Sequence, residues 1–234
     1  ILKILKEFCF GLDCSSLTEL LLAEKTGFSG EEIMFTSNNT QEKEFEKVIE
    51  IGAIINLDDS SQISVLEKLG MPETICFRYN PGNLKQGNNI IGNPIEAKFG
   101  ITKEQLFQAY ELCKEKGVKR FGLHTMVASN ELNPDYFVDT SRILFKLIVE
   151  IKEILGVEIE FINLGGGMGI PYKPEQKPLD YEYISEEILK LYKELLSSKN
   201  LNPKIFFECG RIITGPYGFL VSKVINKKQH TKNI

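Results

Sequence analysis

The chain has 234 residues, a formal net charge of -4 and 42% hydrophobic residues. This length fits one domain with a large core, and the negative charge argues against nucleic acid as the main partner. No apolar run approaches the roughly 20 residues that a membrane span needs. The chain begins at Ile1 without an initiator Met or a visible secretory signal, so we interpret it as a fragment.

The cysteines indicate a reducing compartment. Their number is odd and no pair has C-x-x-C spacing, so we expect buried free thiols in the cytoplasm. They are Cys9, Cys14, Cys76, Cys113 and Cys209. With only His124 and His230 as histidines, no metal site is expected.

Short apolar runs alternate with longer amphipathic segments along the chain. The runs predict seven strands, at 8–13, 33–36, 53–57, 74–79, 120–126, 158–164 and 204–208. Capping boxes at 16–19 and 102–105 predict two helix starts, and Gly117 and Gly156 predict two helix ends. This alternation predicts parallel strands joined by helical crossovers.

Seven strands suit either an open doubly wound sheet or a (β/α)₈ barrel whose first strand is missing. Residues 1–7 resemble the tail of a helix, which favours the barrel. The strands at 158–164 and 204–208 are then the seventh and eighth, and the loops after these strands often bind phosphate in barrel enzymes. We predict a barrel domain over 1–219, followed by the start of a truncated β-domain or a tail over 220–234.

Two turns follow these last two strands. Gly165, Gly166 and Gly167 form a glycine-only turn, whose bare backbone N–H groups can wrap around an anion. The second turn contains Glu208 and Arg211. In a barrel these turns converge on one mouth with the other polar residues at strand ends, which are Asp13, Ser37, Asp58, Asn80, His124 and Asn163.

Glu208 has two interpretations. A carboxylate at the end of a buried strand needs a partner, because an isolated buried charge is costly. That partner is either a cation, Arg211 or Lys98, or the protonated ring nitrogen of a heterocyclic cofactor such as pyridoxal phosphate.

The other candidates also have two interpretations each. Arg78 packs its stem and reaches solvent or an acid, or it pairs with an anionic ligand. His124 is a satisfied core histidine or a catalytic one. Ser129 caps a loop or donates to a phosphate, and Asp13 braces the following helix or lines the mouth. Residues 82–94, rich in Gly and Asn, form a predicted loop over that mouth.

The motifs together carry a resemblance. They lie in order at 11–19, 78–81, 98–100, 123–129, 165–169 and 208–211. From about residue 10 to 218 the chain resembles the fold-type III pyridoxal-phosphate-dependent decarboxylases, the alanine racemase-like barrel family. Within that family it is most similar to the diaminopimelate decarboxylases, with ornithine and arginine decarboxylases as relatives.

The resemblance implies roles for particular residues. Those that hold the cofactor phosphate would be Gly165, Gly166, Gly167, Ser129, Gly210 and Arg211. Glu208 would pair with the pyridine nitrogen, and Asp13 and Arg78 would line the pocket near the ring. Arg211 would also contact the substrate carboxylate. Met126 replaces the family histidine that stacks on the ring, so either Met126 packs there or His124 takes that place.

The implied reaction converts meso-diaminopimelate to L-lysine and CO₂, in a cytoplasmic homodimer without a membrane partner. The family lysine that carries the cofactor is expected before Ile1, so we expect this fragment alone to be inactive. Three alternatives stay open. They are another substrate (ornithine, arginine or carboxynorspermidine), a non-catalytic cofactor-binding homologue, and a phosphosugar barrel that uses no pyridoxal phosphate.

Overall fold

The computed structural model describes residues 1–8, 11–88 and 90–227. These residues form seven parallel strands that pair in chain order. The strands are β1 Leu12–Cys14, β2 Ile33–Ser37, β3 Ile54–Leu57, β4 Thr74–Arg78, β5 Arg120–His124, β6 Ile159–Asn163 and β7 Lys204–Phe206. All seven predicted strands are confirmed, although most are shorter than predicted. Cys9 and Phe10, within the first of them, lie outside the described residues.

Helices connect the strands, as parallel pairing requires. They are α1 Leu2–Leu5, α2 Leu17–Lys25, α3 Glu42–Ile51, α4 Ile63–Leu69, α5 Lys103–Glu115, α6 Pro134–Leu155, α7 Tyr181–Leu195 and α8 Gly210–Thr214. α1 confirms the predicted helix tail at the start of the chain. Within the described part of the chain, no helix has the length and apolarity that a membrane crossing needs.

The predicted helix ends are mostly confirmed. Thr102 forms a complete capping box with Gln105, and Gly156 ends α6 with a φ of 63°. Ser16 caps α2, but the carboxylate of Glu19 accepts the N–H of Ser15 at 2.6 Å instead of that of Ser16.

The sheet curves around an interior with two levels. The larger core lies outside, between strands and helices, while a second cluster inside the sheet contains Met34, Ile54, Cys76 and Phe161, packed against Phe206. Alternate residues of a strand face the same side. Two residues further along, the inward positions are polar: Thr36, Asn56, Arg78, Asn163 and Glu208. The strands therefore place an apolar floor below a polar mouth.

The sheet does not close into a complete barrel over the described residues, because β1 and β7 are its two edges. A cavity of about 790 Å³ separates these edges and is lined in part by Leu5 of α1. This open side agrees with the prediction of a barrel that lacks one strand. The division at residue 219 stays a prediction, and the described part of the last segment, 220–227, forms no strand.

Candidate functional site

The two turns predicted from the sequence are direct neighbours. The N–H of Glu208 donates to the carbonyl oxygen of Gly165 at 2.9 Å, and the N–H of Leu164 donates to that of Phe206 at 3.0 Å. A Cβ atom added to Gly166 would lie 2.1 Å from the carbonyl oxygen of Glu208. The carboxyl ends of β6 and β7 can therefore lie this close together only because residue 166 has no side chain.

The glycine turn is wedged between two loops. Gly165 and Gly167 have φ values of 71° and 84°, a region that glycine occupies without strain. Added Cβ atoms would lie 2.1 Å from the carbonyl oxygen of Thr125 and 2.2 Å from that of Ala128, respectively. The turn is thus held against the loop after β5 as well as against β7.

Only part of this turn has free backbone N–H groups. The N–H of Gly165 donates to Asn163 Oδ1 at 2.9 Å, and that of Gly166 to Met126 Sδ at 3.2 Å. The N–H groups of Gly167 and Met168 form no hydrogen bond with the described residues. Gly167 is therefore the best-placed anion donor among the three glycines.

Ser129, Gly210 and Arg211 border this turn in different ways. The hydroxyl of Ser129 forms no hydrogen bond with the described residues, while its N–H donates to Asn88 Oδ1 at 3.3 Å. Gly210 faces open space, since no atom lies within 4 Å of an added Cβ. Arg211 is exposed at the rim and its Nη1 donates to the hydroxyl of Tyr172 at 2.7 Å. The sequence analysis missed Tyr172, because only its position shortly after the glycines pointed to this residue.

The carboxylate of Glu208 points into the sheet. Its Oε1 accepts hydrogen bonds from His124 Nε2 and Asn163 Nδ2, both at 2.9 Å. The alternative of a salt bridge with Arg211 or Lys98 is wrong for the described residues, because Arg211 donates to Tyr172 at the rim and the Lys98 ammonium lies over the ring of Phe99. The role of Asn163 was missed, although its place at a strand end was visible in the sequence.

Electrostatics keeps Glu208 ionised. Burial alone would raise the pKa of its carboxyl group, but the hydrogen bond from His124 and the charge that His124 carries at low pH, followed by Asp13 and Arg78, lower it to about 2. Complete burial lowers the pKa of His124 below its ordinary value of 6.5. At neutral pH the imidazole therefore acts on Glu208 as an uncharged donor.

Asp13 belongs to the same cluster. Desolvation by the surrounding protein atoms and the adjacent negative charge of Glu208 raise the pKa of Asp13 well above its ordinary value. The open side between β1 and β7 nevertheless leaves part of this side chain exposed. Asp13 Oδ1 accepts a hydrogen bond from the Thr36 hydroxyl at 2.9 Å, so the hydrogen-bond partner that the structure describes for this side chain lies on β2 and not on α2.

Arg78 has the acid partner that one of its two interpretations required. Its Nη1 lies 2.8 Å from Asp58 Oδ1, and both side chains are largely buried. The N–H of Gly100 also donates to Asp58 Oδ1 at 3.0 Å, and the Arg78 guanidinium lies 5.5 Å from the ring centre of Phe99. The 98–100 motif therefore secures Arg78 at the mouth.

Three buried polar atoms near this cluster have no hydrogen-bond partner among the described residues. They are Asn56 Oδ1, Arg78 Nε and His124 Nδ1. Buried polar groups are nearly always paired, and an unpaired one costs about 1–3 kcal/mol. All three lie on the inner face of neighbouring strands.

Comparison with known proteins identifies the family. Residues 1–215 match the family model described as pyridoxal-dependent decarboxylase, pyridoxal binding domain. The chain belongs to the pyridoxal-dependent decarboxylases. It is 36% identical to Protein TabA of Pseudomonas amygdali pv. tabaci, with 97% of this chain and 53% of that protein covered. It is 33% identical to diaminopimelate decarboxylase of Methanothermobacter thermautotrophicus, with 98% and 54% covered.

Solved structures agree with this family. The crystal structure of diaminopimelate decarboxylase from M. jannaschii in complex with L-lysine matches with a TM-score of 0.81 and 26% identity. The match covers 99% of this chain and 55% of that one. The chain spans about half the length of the curated relatives it matches.

The residues present fit pyridoxal phosphate, the cofactor of this pyridoxal-dependent decarboxylase domain. A phosphate dianion needs several hydrogen-bond donors, and the Gly167 and Met168 amides and the Ser129 hydroxyl are free of partners among the described residues. A protonated pyridine nitrogen needs a carboxylate, and Glu208 is ionised and faces inward. The two groups of residues are neighbours along the backbone, because the N–H of Glu208 donates to the carbonyl oxygen of Gly165 in the glycine turn.

Met126 and His124 occupy different places in this decarboxylase domain. His124 is fully buried and bonded to Glu208, whereas Met126 is half-buried and contacts the Gly166 amide through sulfur. The structure therefore gives His124 a contact with Glu208, and it leaves Met126 beside the glycine turn.

We predict that His124 stays neutral below its ordinary pKa. In a His230→Gln variant, the single remaining imidazole is followed by ¹⁵N NMR from pH 8 to 5. Because only the unfolded state takes up this proton easily, the free energy of unfolding should decrease as the pH falls below 6.5. An imidazole that titrates at or above pH 6.5 would show that burial does not control this group.

Gly166→Ala should lower the free energy of unfolding by about 1–3 kcal/mol, because its Cβ would overlap the Glu208 carbonyl oxygen. The matched control is Gly218→Ala, where φ is -103° and no atom lies closer than 3.7 Å to an added Cβ. Its effect should stay within about 0.5 kcal/mol. Urea unfolding measures both, and equal effects would contradict the close approach of the two turns.

Proposed function

We propose that the protein is an amino-acid decarboxylase that uses pyridoxal phosphate, with meso-diaminopimelate as its substrate and L-lysine and CO₂ as its products. The observation that carries this proposal is the ionised, inward-facing Glu208 directly beside a turn with free amides. One end of this site suits a protonated ring nitrogen and the other suits a phosphate.

The proposed phosphate contacts are the residues around the glycine turn. They are Gly165, Gly166, Gly167, Ser129, Gly210 and Arg211. Gly167 is expected to contribute most, since its N–H has no competing partner among the described residues, whereas the other two glycine amides already have acceptors. Ser129 is expected to add its hydroxyl.

The proposed ring contacts come from the inner face of the sheet. Pyridoxal phosphate, when bound, withdraws electrons from the α-carbon of an amino acid, so that the carboxylate can leave as CO₂. Glu208 is placed to keep a proton on the ring nitrogen, and His124 and Asn163 hold the carboxylate in position. Asp13 and Arg78 lie near Glu208 and lower the pKa of its carboxyl group.

The substrate assignment rests on relatives and on one exposed cation. The relative from M. thermautotrophicus is a diaminopimelate decarboxylase, and the M. jannaschii enzyme was solved with L-lysine, the expected product. Arg211 lies at the rim beside Tyr172 and is proposed to contact a substrate carboxylate. Ornithine, arginine or carboxynorspermidine are the competing substrates, and we further propose a cytoplasmic homodimer.

The complete gene product containing this chain should bind pyridoxal phosphate and release CO₂ from meso-diaminopimelate faster than from ornithine, arginine or carboxynorspermidine. Titration by absorbance measures the binding, and CO₂ capture measures the reaction. Binding without CO₂ release from any of the four would favour a non-catalytic homologue. Absence of specific binding would favour the phosphosugar barrel.

Glu208→Gln should reduce turnover about 100-fold or more while the cofactor stays bound, because a neutral amide cannot hold the ring proton. Glu158→Gln is the matched control, since Glu158 is exposed and its ion-pair partner among the described residues is Lys152 alone. Near-normal turnover of Glu208→Gln would remove the proposed role of this carboxylate.

A further inference from the structure

One buried side chain outside the proposed cofactor contacts connects separate loops at the mouth. Asn88, in the loop after β4, is only 6% exposed. Its Oδ1 accepts the N–H of Ser129 at 3.3 Å and that of Ile90 at 3.0 Å. Its Nδ2 donates to Glu131 Oε2 at 2.8 Å. Asn88 therefore uses both halves of its amide group.

Glu131 extends this connection to the glycine turn. Its N–H donates to the carbonyl oxygen of Gly167 at 2.8 Å, and its own carbonyl oxygen accepts the N–H of Gly169 at 3.0 Å. Its Oε1 accepts the N–H of Asn133 at 3.0 Å, just before α6. One residue thus joins the loop after β5 to the turn after β6.

The loop that carries Asn88 lies over the mouth, as the sequence predicted. Ile91 and Pro94 line a small cavity together with Arg78 and Met126. Asn80 Nδ2 donates to the carbonyl oxygen of Pro94 at 2.9 Å, which fixes the far end of the loop. The contact between Asn88 and Glu131 is the fixed point on the side nearest the glycine turn.

We propose that Asn88 and Glu131 are positioning residues for the phosphate site. Asn88 accepts the backbone N–H of Ser129, and Glu131 donates its N–H to Gly167. Their mutual contact therefore fixes the position of Ser129 relative to Gly167. This inference rests on the proposed function of the glycine turn, Gly165 to Gly167, as a phosphate site. A hydrogen bond to a charged partner is stronger than one between neutral groups, so the contact of Asn88 with Glu131 favours one arrangement of the two loops.

A reversal of polarity tests this contact. Asn88→Asp keeps the acceptor for Ser129 and Ile90 but places a second carboxylate opposite Glu131. The double variant Asn88→Asp/Glu131→Gln restores a donor and an acceptor with their roles exchanged. Asn93→Asp is the control, because it adds the same charge to an exposed position of the same loop.

Affinity for pyridoxal phosphate should fall about tenfold or more in Asn88→Asp and recover in the double variant. Asn93→Asp should bind like the unmodified protein. Equilibrium titration gives the affinities, and urea unfolding without cofactor gives the stabilities. The proposal would be overturned if the affinity decreased in proportion to the free energy of unfolding across the variants. It would also be overturned if the double variant bound pyridoxal phosphate no better than Asn88→Asp.

Amide hydrogen exchange separates this inference from the proposed function. Exchange of the Ser129, Glu131 and Gly169 N–H groups should accelerate in Asn88→Asp without any cofactor and return in the double variant. If the unmodified protein takes up no pyridoxal phosphate, the proposed function fails. The exchange comparison then still decides whether Asn88 and Glu131 position Ser129 and Gly167. Unchanged exchange in Asn88→Asp would overturn this positioning role.

Discussion

The site depends on the close approach of two strand ends. Gly166 lies against the Glu208 carbonyl, and Gly165 accepts the Glu208 N–H, so the turn after β6 and the end of β7 share one backbone framework. Any side chain at 166 would separate them. The same framework directs the Glu208 carboxylate inward, next to a turn whose Gly167 and Met168 amides have no partner among the described residues. Groups that can bind an anion and an ionised carboxylate are thereby neighbours in the fold.

Inward-facing residues of the strands surround the Glu208 carboxylate, and they change from apolar to polar along each strand. Positions near the strand starts fill the inside with Met34, Ile54, Cys76 and Phe161. The next inward positions carry polar groups, which hydrogen-bond one another: Asn56 Nδ2 donates to the Thr36 hydroxyl at 3.1 Å, and that hydroxyl donates to Asp13. His124 is completely buried beside these groups, and this burial lowers its pKa. A neutral imidazole beside an ionised carboxylate follows from that packing.

Much of the fold was predictable because its signals are local. Strand runs, helix caps and the position of the glycines relative to β6 each depend on a few neighbouring residues. The adjacency of the two turns was also predictable, since parallel strands place their ends at one mouth. The partners of individual side chains were not. Arg78 pairs with Asp58, Glu208 pairs with His124 and Asn163, and the Gly165 amide is occupied, because contacts across strands depend on side-chain directions that spacing does not encode.

The central claim is that Glu208 keeps a proton on the ring nitrogen of a cofactor held by the neighbouring turn. ¹⁵N NMR of pyridoxal phosphate labelled at the ring nitrogen tests it most directly in the complete gene product. The account predicts the shift of a protonated ring nitrogen in the unmodified protein and that of an unprotonated one in Glu208→Gln. The same ring-nitrogen shift in both proteins would contradict it.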